Sequence, residues 1–146
     1  MEKISGLLRE IDVSLSEMKS IDLGYPQSNN AVVPPSEIPA EFQRLLGCVD
    51  KLIADELVEL FSHCNGIAMP DVHNAYFIHS VGGGLFAAQD LKGGILHLKG
   101  GAVKERVYFG NSRDAIVAPN LSMFLTRLRD DLRHFIHGTP NWKFMA

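Results

Sequence analysis

Apolar residues recur at helical spacing from the start of the chain, where Ile4, Leu7, Leu8, Ile11, Leu15 and Met18 alternate with charged positions. That stripe predicts an N-terminal helix over 3–21, stopped by the turn chemistry of Asp22-Leu23-Gly24-Tyr25-Pro26. Residues 22–35 lose the pattern and read as a polar, Pro-rich connector, biased to extended backbone by Pro34 and Pro35. Ser36 then reads as an N-cap, with Pro39 tolerated in a first turn and Ile38, Phe42, Leu45 and Leu46 as the apolar face. Positions 50–52 interrupt this face, so a further helix is expected from Ala54 or Asp55. In it Leu57, Leu60, Phe61 and Cys64 lie at i, i+3, i+4 and i+7, one core-facing stripe. Gly66 stands just past that stripe and is expected to close the last turn in a left-handed conformation.

From residue 75 the period shortens. The stretches AYFIHSV (75–81), GLFAAQ (84–89), GILHLK (94–99) and VKERVYF (103–109) are short and rich in aromatic or β-branched residues. Glycines at 82–84, 93–94, 100–101 and 110 punctuate them as tight turns would. GILHLKGGAVKERVYF reads as a hairpin, and AIVA (115–118), stopped by Pro119, as one more short strand. Asn120 is then a good N-cap for the most regular stripe in the chain: Leu121, Phe124, Leu125, Leu128, Leu132, Phe135 and Ile136. Gly138 is its expected C-terminal stop, with Pro140 beyond. The expectation is one α+β domain, an antiparallel meander of about four to five strands packed by helices. Its parts are the N-terminal helix 3–21, the connector 22–35, a core over 36–138 and a short tail over 139–146. Trp142 and Phe144 in that tail either dock on the domain or stay free.

Composition changes little in this picture. The chain has 146 residues, 46% of them apolar and 21% charged, as in ordinary globular domains. No apolar run reaches the roughly 20 residues that span a bilayer, and charged residues interrupt the first apolar segment. A cytoplasmic location is therefore expected. Two cysteines, Cys48 and Cys64, are too few for a disulfide framework. Net charge is −3 but unevenly placed. Residues 1–66 hold 5 Lys+Arg against 11 Asp+Glu, and residues 67–146 hold 9 against 6. An acidic N-terminal half argues against direct nucleic-acid binding and suits a basic partner.

Candidate chemistry centres on His63, Cys64, His73 and His79. Their spacing matches no common metal-ligand pair, and neighbours on a helix point about a third of a turn apart. A thiol near a helix C-terminus is also held away from the thiolate form by the helix dipole. The glycines at 82–84 lack the lysine and helix start of a phosphate loop. Arg127, Arg129, Arg133 and His134 are interleaved with Asp130 and Asp131, which reads as a solvated helix face. A small hydrolase or metal enzyme using His63, Cys64 or His73 thus stands as the least favoured reading.

The stretch PPSEIPAEFQRLLGCVDKLIADELVELFSHCNG, from Pro34 to Gly66, resembles the opening of the SUKH superfamily. Glu41, Leu46 and Gly47 match its first element, and Leu52 and Asp55 match the Leu-Pro-x-Asp lead into a helix. Leu57, Phe61, Asn65 and Gly66 match that helix and its Asn-Gly end. Val107-Tyr108-Phe109 and NLSMFLTRL (120–128) look like the family's sheet and closing helix. Ile53 stands where the family usually carries proline. The resemblance implies a non-enzymatic α+β binding module without cofactor or metal. Bacterial members are commonly immunity proteins that neutralise a cognate toxin, often a nuclease; a fungal branch regulates cell-wall assembly. A regulatory or scaffold module with another partner is the alternative. For a basic partner the candidate contacts are Asp50, Asp55, Glu56 and Glu59, with loop residues Asp71, His73, Asn74 and Asp90. Plain solvated surface is the competing reading for each.

Overall fold

A computed structural model describes residues 3–81, 85–90, 95–106 and 115–144. The turns expected at Gly82–Gly84, Gly93–Gly94 and Gly110, and the segment Val107–Phe109, lie outside the described residues.

The N-terminal stripe folds as helix α1, Ile4–Met18, with Ile4, Leu7, Leu8, Ile11, Leu15 and Met18 all buried. Strand β1, Ala31–Val32, follows inside what reads in the sequence as a polar, Pro-rich connector. Helix α2 spans Ala40–Leu46 with Pro39 at its N-cap position, so Ser36 does not cap it. Pro39 has no N–H to leave orphaned, which suits it to this boundary. Helix α3 spans Lys51–His63 with Asp50 at its N-cap position, so it starts three or four residues before the Ala54 or Asp55 expected from the stripe. In its first turn Leu52 is 80% exposed and Ile53 only partly covered, so no buried stripe begins there and periodicity alone places the start too late. Phe42 of α2 meets Phe61 of α3 edge-on, with ring centroids 5.3 Å apart.

Among the described residues six further strands follow: β2, Ile67–Met69; β3, Tyr76–Ile78; β4, Ala87–Asp90; β5, Ile95–Lys99; β6, Ala102–Arg106; and β7, Ala115–Ala118. All seven pair antiparallel in chain order, a pure meander. The strand number exceeds the expected four to five because β1 and β2 are too short to show a period. The β5–β6 hairpin turns through Gly100 and Gly101 at φ +59° and +84°. Two successive positive values give the turn whose twist matches that of its strands.

Helix α4, Leu121–His137, is bounded as the sequence indicates. Asn120 Oδ1 accepts the Met123 N–H at 2.8 Å, and Gly138 closes the helix at φ +62°. Helices α1, α3 and α4 pack on one another, and α4 also packs on β6 and β7. Alternate strand residues Ile67, Met69, Tyr76, Ile78, Ala88, Leu96, Val103 and Ala118 are buried in the same core as the helix stripes. Their neighbours Ala68, Phe77, Ala87, Gln89, Ile95 and Lys104 are only partly covered. Such alternation is the mark of an antiparallel sheet packed on one face. No helix among the described residues is long and apolar enough to cross a membrane.

Candidate functional site

The His63–Cys64 pair comes apart in three dimensions. Cys64 is fully buried, its Sγ donating to the Leu60 carbonyl at 3.4 Å. Burial pushes the thiol pKa up, with a backbone hydrogen bond at Gly66 opposing the rise, so the nucleophilic thiolate is disfavoured. His63 is exposed. His73 lies in the β2–β3 loop and His79 beyond β3, where its Nε2 pairs with Gln89 Oε1 at 3.0 Å. Among the described residues no group of three His, Cys, Asp or Glu side chains is placed to hold a metal ion.

Asn65-Gly66 has a different role from the expected one. Helix α3 already ends at His63, and Cys64 is extended, so Gly66 does not close the last turn. The Asn65 N–H donates to the Val33 carbonyl at 2.9 Å, and the Val33 N–H donates to the Gly66 carbonyl at 3.0 Å. Asn65 Oδ1 accepts the Val81 N–H at 2.9 Å. The pair therefore ties β1, β2 and the end of β3 together.

The four acidic candidates at Asp50, Asp55, Glu56 and Glu59 divide into two kinds. Asp50 and Asp55 remain exposed, Asp55 with Lys51 Nζ at 3.3 Å. Glu56 Oε2 instead accepts the Ser122 N–H at 2.8 Å and the Ser122 hydroxyl at 2.6 Å, at the first turn of α4. Glu59 Oε1 accepts the Ser5 N–H at 3.1 Å, at the first turn of α1. Lys3, at the N-cap position of α1, makes no side-chain cap, so α3 supplies one from outside. A carboxylate there satisfies an orphan N–H and meets the positive end of the dipole. Glu56→Ala is expected to cost about 1–2 kcal/mol in urea-unfolding free energy. Glu56→Gln, which keeps an acceptor but no charge, should lose less than Glu56→Ala.

The loop candidates form a second cluster. Asp71 is buried: its Oδ2 accepts from the Ser28 N–H and from Asn30 Nδ2, both at 2.7 Å. The Asp71 N–H donates to Asn30 Oδ1 at 3.0 Å, closing a reciprocal pair. His73 Nε2 stands 3.4 Å from Asp90 Oδ2 and 3.1 Å from Asn74 Nδ2. The two clusters sit at opposite ends of α4, since Glu56 reaches Ser122 while His73 lines a cavity with His134. Twelve helical residues at about 1.5 Å each set those ends roughly 18 Å apart.

The docking of the tail, which the sequence leaves open, is settled by aromatic contacts. Phe144 packs on the His73 and Tyr76 rings, and Trp142 stacks on His134 at 3.7 Å between centroids. Trp142 Nε1 donates to Asp131 Oδ1 at 2.9 Å. On the opposite flank of α4, Arg129 binds Glu10 at 2.7 Å and Asp130 at 3.0 Å, tying α1 to α4. The Arg129 hydrogen bond, with smaller contributions from nearby cations, holds the Glu10 carboxyl below its usual range, against some desolvation. Compared with known proteins, the chain matches no family model, no curated protein and no solved structure.

Proposed function

We propose that this chain is an immunity protein that neutralises a cognate bacterial toxin by stoichiometric binding in the cytoplasm, without cofactor or direct nucleic-acid contact. The observation that carries the reading is the N-terminal end of α3, from its N-cap Asp50 to Asp55 in the second turn. Asp50 and Asp55 face solvent there around Leu52, the most exposed of the large apolar side chains described. An apolar side chain flanked by carboxylates suits a partner with basic and apolar contacts. A nuclease offers such a face, because it must hold phosphates. The resemblance of residues 34–66 to the SUKH superfamily points the same way. Binding would cover the toxin's active site or hold it in an inactive shape.

Co-expression with the toxin encoded beside this chain should restore growth, and the two should co-elute as one complex. Association should slow about tenfold or more as salt rises through the physiological range, because opposite charges steer the encounter. Asp50→Asn with Asp55→Asn should slow association and blunt that salt dependence. Absence of both protection and complex formation defeats the reading. A cellular protein captured instead, at a locus with no toxin gene, would favour the regulatory or scaffold alternative.

A further inference from the structure

Two concavities of about 350 and 330 Å³ meet where the β5–β6 turn comes against helix α3. Ile53, Gly100 and Gly101 line both, so they form one groove with two compartments. The turn lies so close to the helix that a Cβ on Gly101 would stand 3.0 Å from Ile53 Cδ1. The first compartment brings Asp50 and Glu56 beside Leu52 and Pro119. The second brings together Leu45, Val49, Leu85, Phe86 and Leu98. One is acidic with an apolar edge, and the other is chiefly apolar.

The acids of this groove have unused capacity. Asp50 stands at the N-cap position of α3 yet makes no side-chain cap, and no other residue bonds its carboxylate. Glu56 uses only Oε2 for the Ser122 N–H and hydroxyl, which leaves Oε1 to accept from elsewhere. The adjacent cation, Lys51, is turned to Asp55 at 3.3 Å. Among the described residues no lysine or arginine lines either compartment. Uncompensated carboxylates beside an exposed leucine are complementary to one kind of group, a cation on an aliphatic stem.

We propose that this groove grips an arginine of the partner protein, with an apolar neighbour of that arginine filling the second compartment. The inference rests on the reading of this chain as a binding protein and names the group it holds. A guanidinium presents five donors in a planar fork, enough to address Asp50 and Glu56 Oε1 together. Its stem then covers Leu52 and Ile53, removing the exposed leucine from water. A lysine ammonium is a compact point charge and meets two separate acids less well. In an extended segment, residues two apart share a face at a spacing of roughly 7 Å. An apolar residue two positions from the arginine is therefore placed to enter the second compartment across Ile53. Such a pairing of arginine with an apolar anchor is the kind that dominates protein interfaces.

The probe is the peptide acetyl-Leu-Gly-Arg-Gly-Leu-amide, which offers a leucine two positions to either side of the arginine. Titrated into the isotope-labelled chain, it should shift the amide resonances of Leu52, Ile53, Gly100 and Gly101. The same peptide with citrulline for arginine keeps the shape and loses the charge, and should bind about fivefold or more weakly. Serine in place of both leucines should weaken binding by a similar factor, through the second compartment. Asp50→Asn, at a position that carries no cap, should narrow the difference between the arginine and citrulline peptides. No shift in the groove up to the solubility limit, shifts centred elsewhere, or equal binding of those two peptides overturns the proposal. In the toxin complex, Asp50→Lys puts a cation where the partner's must sit and should weaken affinity about tenfold or more. A complex of unchanged affinity overturns the groove as the docking site and leaves the immunity reading standing. Peptide binding without any toxin complex does the reverse, supporting the groove while that reading fails.

Discussion

Replacing Gly66 with alanine is expected to lower unfolding free energy by roughly 3–5 kcal/mol, the upper range for a single substitution. Two causes act together. At φ +94° an L residue is strained, and a Cβ placed there lies 2.4 Å from the Ile78 carbonyl oxygen and 3.1 Å from the His79 carbonyl carbon. Those neighbours are backbone atoms at the end of the paired strand β3, so they yield only if the sheet moves. Gly24 is the internal control. It has φ +84°, with nothing within 4 Å of the point where an alanine methyl would stand, so Gly24→Ala should lose only about 1 kcal/mol. Urea denaturation of both variants separates strain from close approach. Equal losses would show that the contact with β3 does not matter.

The second large effect belongs to Asp71 and Asn30, both buried. Asp71→Ala removes the acceptor of two 2.7 Å hydrogen bonds and leaves the Ser28 N–H and the Asn30 amide without it. An orphaned buried donor costs about 1–3 kcal/mol, and bonds to a charged acceptor are the stronger kind, so a loss of roughly 2–4 kcal/mol is expected. Asn30→Ala should cost about as much, since it leaves the Asp71 N–H and carboxylate short of partners. The double variant should lose less than the two single losses combined, by roughly 0.5–3 kcal/mol, because the residues serve each other. Additive losses in thermal or urea unfolding would mean that the pair does not act as a unit. The pair anchors the connector to the β2–β3 loop across about forty residues of chain. It is therefore structural before it is a partner contact, whatever its neighbours His73 and Asn74 bind.

Local signals carry much of the architecture. Helix α4 is legible almost to the residue, because its stripe is long, Asn120 caps it within the next three positions and Gly138 ends it. The β5–β6 hairpin is legible because two glycines at its turn meet a backbone demand that acts within four residues. Burial of Cys64 follows from its place in the stripe that continues past α3. Elements without a period escape: β1 has two residues and β2 three, and each is a strand only because its partner lies beside it.

The candidate surface is less legible still. Asp50, Asp55, Glu56 and Glu59 are equivalent as letters, four carboxylates on or beside one acidic helix. Two of them turn inwards because the first turns of α1 and α4 arrive where their N–H groups can be met. Asn65-Gly66 shows the same division. The sequence marks it as a break in the helix, from the end of an apolar stripe and a residue free to take positive φ. Only the sheet reveals that the glycine is needed for the approach of β3, and that the asparagine bonds beyond the end of that strand. By itself, then, the chain determines its helical stripes, the caps of α4, its tightest turn and its uneven charge, all set by neighbours a few residues away. Tertiary structure decides strand number, which acids remain in solvent and where the tail docks. Those depend on side chains that meet only once the fold is formed, many from more than forty positions apart, or on short segments that carry no periodic signal.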